Sequence, residues 1–131
     1  RYIVVNNDPS SIADAYGTIK VMIEDHGLDN IFLIPNKVKT QKEGESLFTK
    51  INSVAKRYLD RDLRYLHSIR TDEMIERSLK ANNPVLSFAP TSQATRDFKD
   101  LAQQITGLTF QKSDLGGVKF FMDRLTLPKT A

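Results

Sequence analysis

The chain has 131 residues, with 19 lysines and arginines against 16 aspartates and glutamates, two histidines and 40% hydrophobic residues. That is the balance of one ordinary globular domain, and folding at this length buries roughly two-thirds of the surface that an unfolded chain exposes. The lack of cysteine excludes a disulfide framework, a Cys-based zinc site and thiol catalysis within these residues. No window approaches the roughly 20 continuous apolar residues of a membrane-spanning helix. The net charge is +3, and basic residues alternate with acidic ones, as in Asp60-Arg61-Asp62, so the charge reads as a mixed solvated surface rather than a dedicated nucleic-acid face. Residue 1 is Arg and an apolar run begins at once; a preceding segment is expected.

Tyr2 to Val5 is a short apolar run stopped by the turn formers Asn6-Asn7-Asp8-Pro9, which predicts a buried strand. A helix follows, capped by Ser10 or Ser11, with Ile12, Ala15, Tyr16, Ile19, Met22 and Ile23 on one face and Gly27 as its stop. Ile31 to Ile34 predicts a second strand, ended by Pro35-Asn36. After a polar loop from Lys37 to Lys42, Leu47, Phe48, Ile51, Ala55, Tyr58 and Leu59 give a second amphipathic helix. Leu63 to Ile69 reads as a third strand, and Asp72 begins a short helix to about Leu79 that breaks before Asn82-Asn83-Pro84. Thr91 or Ser92 caps another helix, with Ala94, Phe98, Leu101, Ala102 and Ile105 on its apolar face and Gly107 as its stop. Strands alternating with helices predict a three-layer α/β fold with a mostly parallel sheet and right-handed crossover helices. Three strands make a narrow sheet, so one edge is expected to take further strands from an upstream segment or a partner.

The sequence holds no G-x-x-x-x-G-K-[ST] phosphate loop and no G-x-G-x-x-G fingerprint. His26 and His67 lack metal-ligand spacing and read as structural. Asp8, Asp14, Asp72 and Glu73 fall near strand ends without pairing as acid and base, so no catalytic set can be assembled. Asn36 stands out because it follows the second strand, where open α/β sheets collect ligands, and its amide offers both a donor and an acceptor to a base edge. The same residue also suits a plain Pro-Asn turn. The tail is the second feature. A helix over Leu115 to Leu127 would place Leu115, Val118, Phe121, Met122 and Leu125 within one arc, a face for membrane, for a partner or for the domain itself.

Several of these residues, in this order and spacing, resemble the MinD/ParA-type deviant P-loop ATPases, and within them the flagellar-number regulators of the FlhG/FleN type. The stretch Val4-Val5-Asn6-Asn7-Asp8-Pro9-Ser10-Ser11-Ile12-Ala13-Asp14-Ala15-Tyr16, followed by Ile19-Lys20, resembles the family's strand, loop and S-I-x-D-A-Y-x-x-I-K helix. Asn36-Lys37-Val38 with Glu43-Gly44 resembles its N-x-V…E-G segment, and Ile69 to Asp72 its I-P-x-D strand end. Pro84-Val85 and Pro90-Thr91-Ser92 also fit. The tail, Gly116-Gly117-Val118-Lys119-Phe120-Phe121 with Arg124-Leu125, resembles the family's membrane-targeting helix. The match covers only the family's C-terminal half, so the chain is expected to be a partial P-loop NTPase fold. Residues 1–108 would form that half, and residues 109–131 a linker and amphipathic helix.

The resemblance implies that Asn36 recognises adenine and that Ile69, Arg70 and Asp72 form a second base-contacting loop, although Arg70 stands where the family has Pro. It implies that Ser11 and Asp14 meet regulatory partners, and that Leu115, Val118, Lys119, Phe120, Phe121, Met122, Arg124 and Leu125 meet the membrane. For the intact protein it implies ATP with Mg²⁺, an ATP-closed homodimer, flagellar GTPase or switch-complex partners, and a cytoplasmic protein held reversibly at an anionic membrane. This chain alone lacks the phosphate loop and is not expected to hydrolyse ATP or to hold it tightly. Two other readings stand beside this one: a non-enzymatic protein-binding module, and a ParA-like DNA-associated protein using Lys37, Lys39, Lys42, Lys56 and Arg57.

Overall fold

The computed structural model of the chain describes residues 1–112. In chain order the elements are β1 (Tyr2–Asn6), α1 (Pro9–Glu24), β2 (Phe32–Val38), α2 (Gln41–Leu59), β3 (Arg64–Tyr65), β4 (Ile69–Arg70), α3 (Glu73–Lys80), α4 (Val85–Phe88) and α5 (Gln93–Lys112). β2 pairs in parallel with β1 on one side and with both β3 and β4 on the other. This is the expected α/β class with a parallel sheet. Arg1–Leu101 form one compact unit, and the end of α5, from Ala102, belongs to a second. The expected helix over Leu115 to Leu127, with all its membrane-facing residues, lies outside the described residues.

Local chemistry moves several boundaries. α1 is capped by Asp8 rather than by Ser10 or Ser11: its carboxylate accepts the Ser11 N–H at 2.8 Å, and Pro9 supplies the first helical φ. At the other end Gly27 takes φ 58° and gives its N–H to the Ile23 carbonyl, as expected of a helix stop. α2 begins at Gln41, ahead of its apolar stripe, because Thr40 caps it by accepting the Glu43 N–H at 3.0 Å. The expected third strand is two short pieces, β3 and β4: the register against β2 changes by one residue between the Leu33–Tyr65 and Asn36–Ile69 pairs, and again within β4, between Asn36 and Val38, where Lys37 sits at φ 55°. Gly107 does not stop α5, which runs to Lys112; its φ is not positive, and without a left-handed turn a glycine is only a weak helical residue. α4, a single turn after Pro84, had no periodic signal to announce it.

The core lies between the sheet and the pair α1 and α2. Val5, Ile19 and Leu33 are fully buried there, with Ile51 and Leu47 beside them. At Gly44 α2 packs tightly against Ser68, just before β4, and Pro35 of β2: an added methyl carbon would overlap the Ser68 side chain and lie 3.4 Å from the Pro35 Cβ. On the other face of β1, Tyr2 and Val4 remain 47% and 60% exposed, with the Tyr2 ring 5.7 Å from that of Phe32. Among the described residues β1 is paired on one side only. Replacing Gly44 with Ala forces α2 off the sheet at Ser68, so equilibrium denaturation should show a loss of about 1–3 kcal/mol, whereas Gly17→Ala, which has open space around it, should cost nothing or stabilise the helix.

Candidate functional site

Parallel pairing brings the carboxyl ends of β1 and β2 to the same edge, with Asn6 opposite Asn36. The Asn36 Nδ2 donates to the Asn6 Oδ1 at 3.1 Å, and the Asn6 backbone N–H donates to the Ser11 Oγ at 2.9 Å. Asn36 is therefore oriented by its neighbour while its Oδ1 and one N–H keep no partner among the described residues. That is a fixed donor and acceptor, half-buried at the end of a strand.

Glu43 joins the two loops around this point. Its Oε1 accepts from the Asn7 side chain at 2.8 Å, and its Oε2 from the Lys39 backbone N–H at 2.8 Å. The Lys39 N–H, and then the Asn7 amide, hold this carboxyl below the ordinary carboxylate range. Lys37, between Asn36 and Val38, has a left-handed backbone, with φ 55°.

The second expected loop lies next to the first, since Ile69 is the register partner of Asn36, and Arg70 that of Val38. Ile69 is buried. The Arg70 guanidinium is not directed at a ligand; its Nε and Nη2 hold Asp97 at 3.1 and 2.8 Å, and its backbone N–H donates to the same carboxylate at 2.9 Å. Asp72 caps α3 by accepting the Met74 N–H at 3.0 Å, and its other oxygen accepts the Ala94 N–H at 2.9 Å. Asp97 itself is 1% exposed. Burial alone would raise its carboxyl, but the hydrogen bonds and charge of Arg70 hold it below the ordinary range.

A polar network backs this pair. The Gln41 Nε2 donates to the Ser68 carbonyl at 3.1 Å and to Asp97 at 3.4 Å, and the Tyr65 hydroxyl donates to the Gln41 Oε1 at 3.2 Å. His67 faces Gln41 at 3.4 Å and lies 3.9 Å from Asp100 and 4.0 Å from Asp97. Sequence reading passed over Asp97 and Gln41, yet Asp97 left a signal: an acid within the apolar arc of Ala94, Phe98 and Leu101.

The remaining expected residues fall elsewhere. Ser11 is tied to Asn6, and Asp14 is exposed one turn further along α1; both line an open groove of about 410 Å³ with Asp8, Thr18 and the β1 residues Ile3 and Val4. Of the basic residues of the DNA reading, Lys56 pairs with Asp60 and Asp62 and Arg57 lies over the Tyr58 ring, while Lys42 stands about 21 Å from Lys56 along α2.

Among the described residues no three His, Asp or Glu side chains gather as a metal site, and no helix is long and apolar enough to cross a membrane. Asn36 offers the donor and acceptor that a nucleobase edge would need, and among the described residues nothing forms a cradle for phosphates or magnesium.

Removing the Arg70 side chain leaves Asp97 buried and uncompensated, so Arg70→Ala should lower unfolding stability by about 3 kcal/mol or more. Because the folded Asp97 titrates below its unfolded value, its contribution is complete above about pH 4 and fades as the pH falls through the depressed value. Denaturation curves from pH 7 to pH 2 should show this acid-side loss, and Asp97→Asn should flatten that part of it.

No family model matches the chain. It is 33% identical over 123 residues to the antiactivator FleN of Pseudomonas aeruginosa, which covers 94% of this chain and 44% of that protein. It is also 33% identical over 131 aligned positions to the flagellum site-determining protein YlxH of Helicobacter pylori, covering 94% of this chain and 42% of that protein. The chain thus spans less than half the length of the curated relatives it matches, consistent with a C-terminal half. The chain is thus homologous to part of FleN and of YlxH, and its α/β topology agrees with the C-terminal half of the MinD/ParA-type fold that its sequence resembles.

Proposed function

We propose that this chain is the adenine-recognising and membrane-anchoring part of a MinD/ParA-type ATPase that controls flagellar number or placement. The flagellar role is supported by the names of the relatives FleN and YlxH. The nucleotide role is carried by one observation: Asn36 stands at the carboxyl end of β2, oriented by Asn6, with an acceptor and a donor left over.

An amide in that state suits the N6 and N7 edge of adenine, whereas guanine presents acceptors at both positions. Bound ATP with Mg²⁺ would supply the bond to be hydrolysed, its phosphates and metal held by residues beyond this chain. Within it, Asn36 orients the base, and the buried Ile69 closes the strand end beside it. The surface of α1 at Ser11 and Asp14 meets a flagellar GTPase or switch-complex protein.

The tail supplies the location. A single short amphipathic helix binds lipid marginally, whereas two on an ATP-closed homodimer gain roughly 10²-fold or more by avidity, so nucleotide state sets whether this cytoplasmic protein stays at an anionic membrane.

Competition binding on the intact ATPase tests the base reading: Asn36→Ala should reduce the preference for ATP over GTP by about tenfold, within the 1–3 kcal/mol of a bidentate base contact. An unchanged preference would refute it. For the tail, co-sedimentation with anionic phospholipid vesicles in ATP should fall sharply for Phe121→Glu or Leu125→Glu, and undiminished binding would remove the membrane role.

A further inference from the structure

The Asp97 carboxylate is 1% exposed, and its three donors at 3.1 Å or less all come from one residue of another element. Arg70 gives its backbone N–H and Nε to the Oδ2, at 2.9 and 3.1 Å, and its Nη2 to the Oδ1 at 2.8 Å. Two residues on, the Asp72 Oδ2 takes the Ala94 N–H at 2.9 Å. The segment Ile69–Asp72 is thereby fastened to the first turns of α5 at two points, residues 94 and 97. It is fastened to β2 by the pairing of Ile69 with Asn36 and by the Thr71 N–H on the Val38 carbonyl at 2.8 Å.

This clamp belongs to arginine. Proline at position 70 would have neither the amide hydrogen nor the guanidinium, and lysine could supply the charge but not the planar fork. A buried carboxylate held this way has no cheap half-made alternative, because any displacement of β4 strips donors from a charge that water does not reach. The position of β4 beside Asn36 is therefore set jointly by its pairing with β2 and by its clamp to α5.

We propose that Arg70 and Asp97 are positioning residues for nucleobase selection: they hold the Ile69–Asp72 segment at the distance from Asn36 that admits adenine and disfavours guanine, without touching the base. The proposal rests on the reading of Asn36 as the base-recognising residue. It assigns Arg70 a role through Asp97 in place of direct contact.

The test uses the intact ATPase, with a fluorescent ATP analogue displaced by ATP or by GTP, and thermal melting recorded in parallel. Arg70→Lys and Asp97→Asn should each lower the ATP-over-GTP preference at least fivefold. Arg70→Lys keeps the charge on Asp97 and so guards against a variant that fails to fold. If both variants melt earlier but keep the wild-type preference within twofold while Asn36→Ala loses it, the clamp is structural only and the proposal is overturned. If Asn36→Ala also keeps the preference, the base reading beneath the proposal fails with it.

Discussion

The parallel pairing of β1 with β2 is the constraint on which the rest of this structure depends. Two strands running the same way cannot be joined by a tight turn, so α1 must cross over the sheet, and its apolar face becomes one wall of the core. The same geometry ends both strands at one edge, which places Asn6 beside Asn36. A polar side chain at the end of an isolated strand would be one more loop residue. Here two amides meet, and each limits the orientation of the other.

The C-terminal part of the compact unit is built around a charge rather than around oil. Asp97 is buried, where an unpaired carboxylate could not persist. Its partner comes from the end of β4, so the packing of α5 and the position of the strand end are a single condition. Asp72 repeats the arrangement on a smaller scale, satisfying the first N–H groups of two helices with one side chain.

Much of this was legible in the residues. Apolar runs and helical periodicity located β1, α1, β2, α2 and α3, because each buries one regular face and period alone reports that. The helix starts at Asp8 and Thr40 were less legible, since several polar residues nearby could serve as caps and only the backbone selects among them. The irregular pairing of β4 includes a left-handed lysine at position 37, which no local preference favours. Of the candidate site, Asn36 could be singled out from its place after a strand. The commitment of Arg70 to Asp97 could not, because it joins residues 27 apart in sequence through a bond that neither residue type requires.

Glu43 carries a consequence for how a ligand would enter. By bonding Asn7 from the loop after β1 and the Lys39 amide from the loop after β2, one side chain fixes the separation of two segments that would otherwise fluctuate independently. The entropy of ordering those loops is lost when the domain folds rather than when a ligand arrives. The two loops that flank Asn36 are thus tied to one another before any ligand arrives.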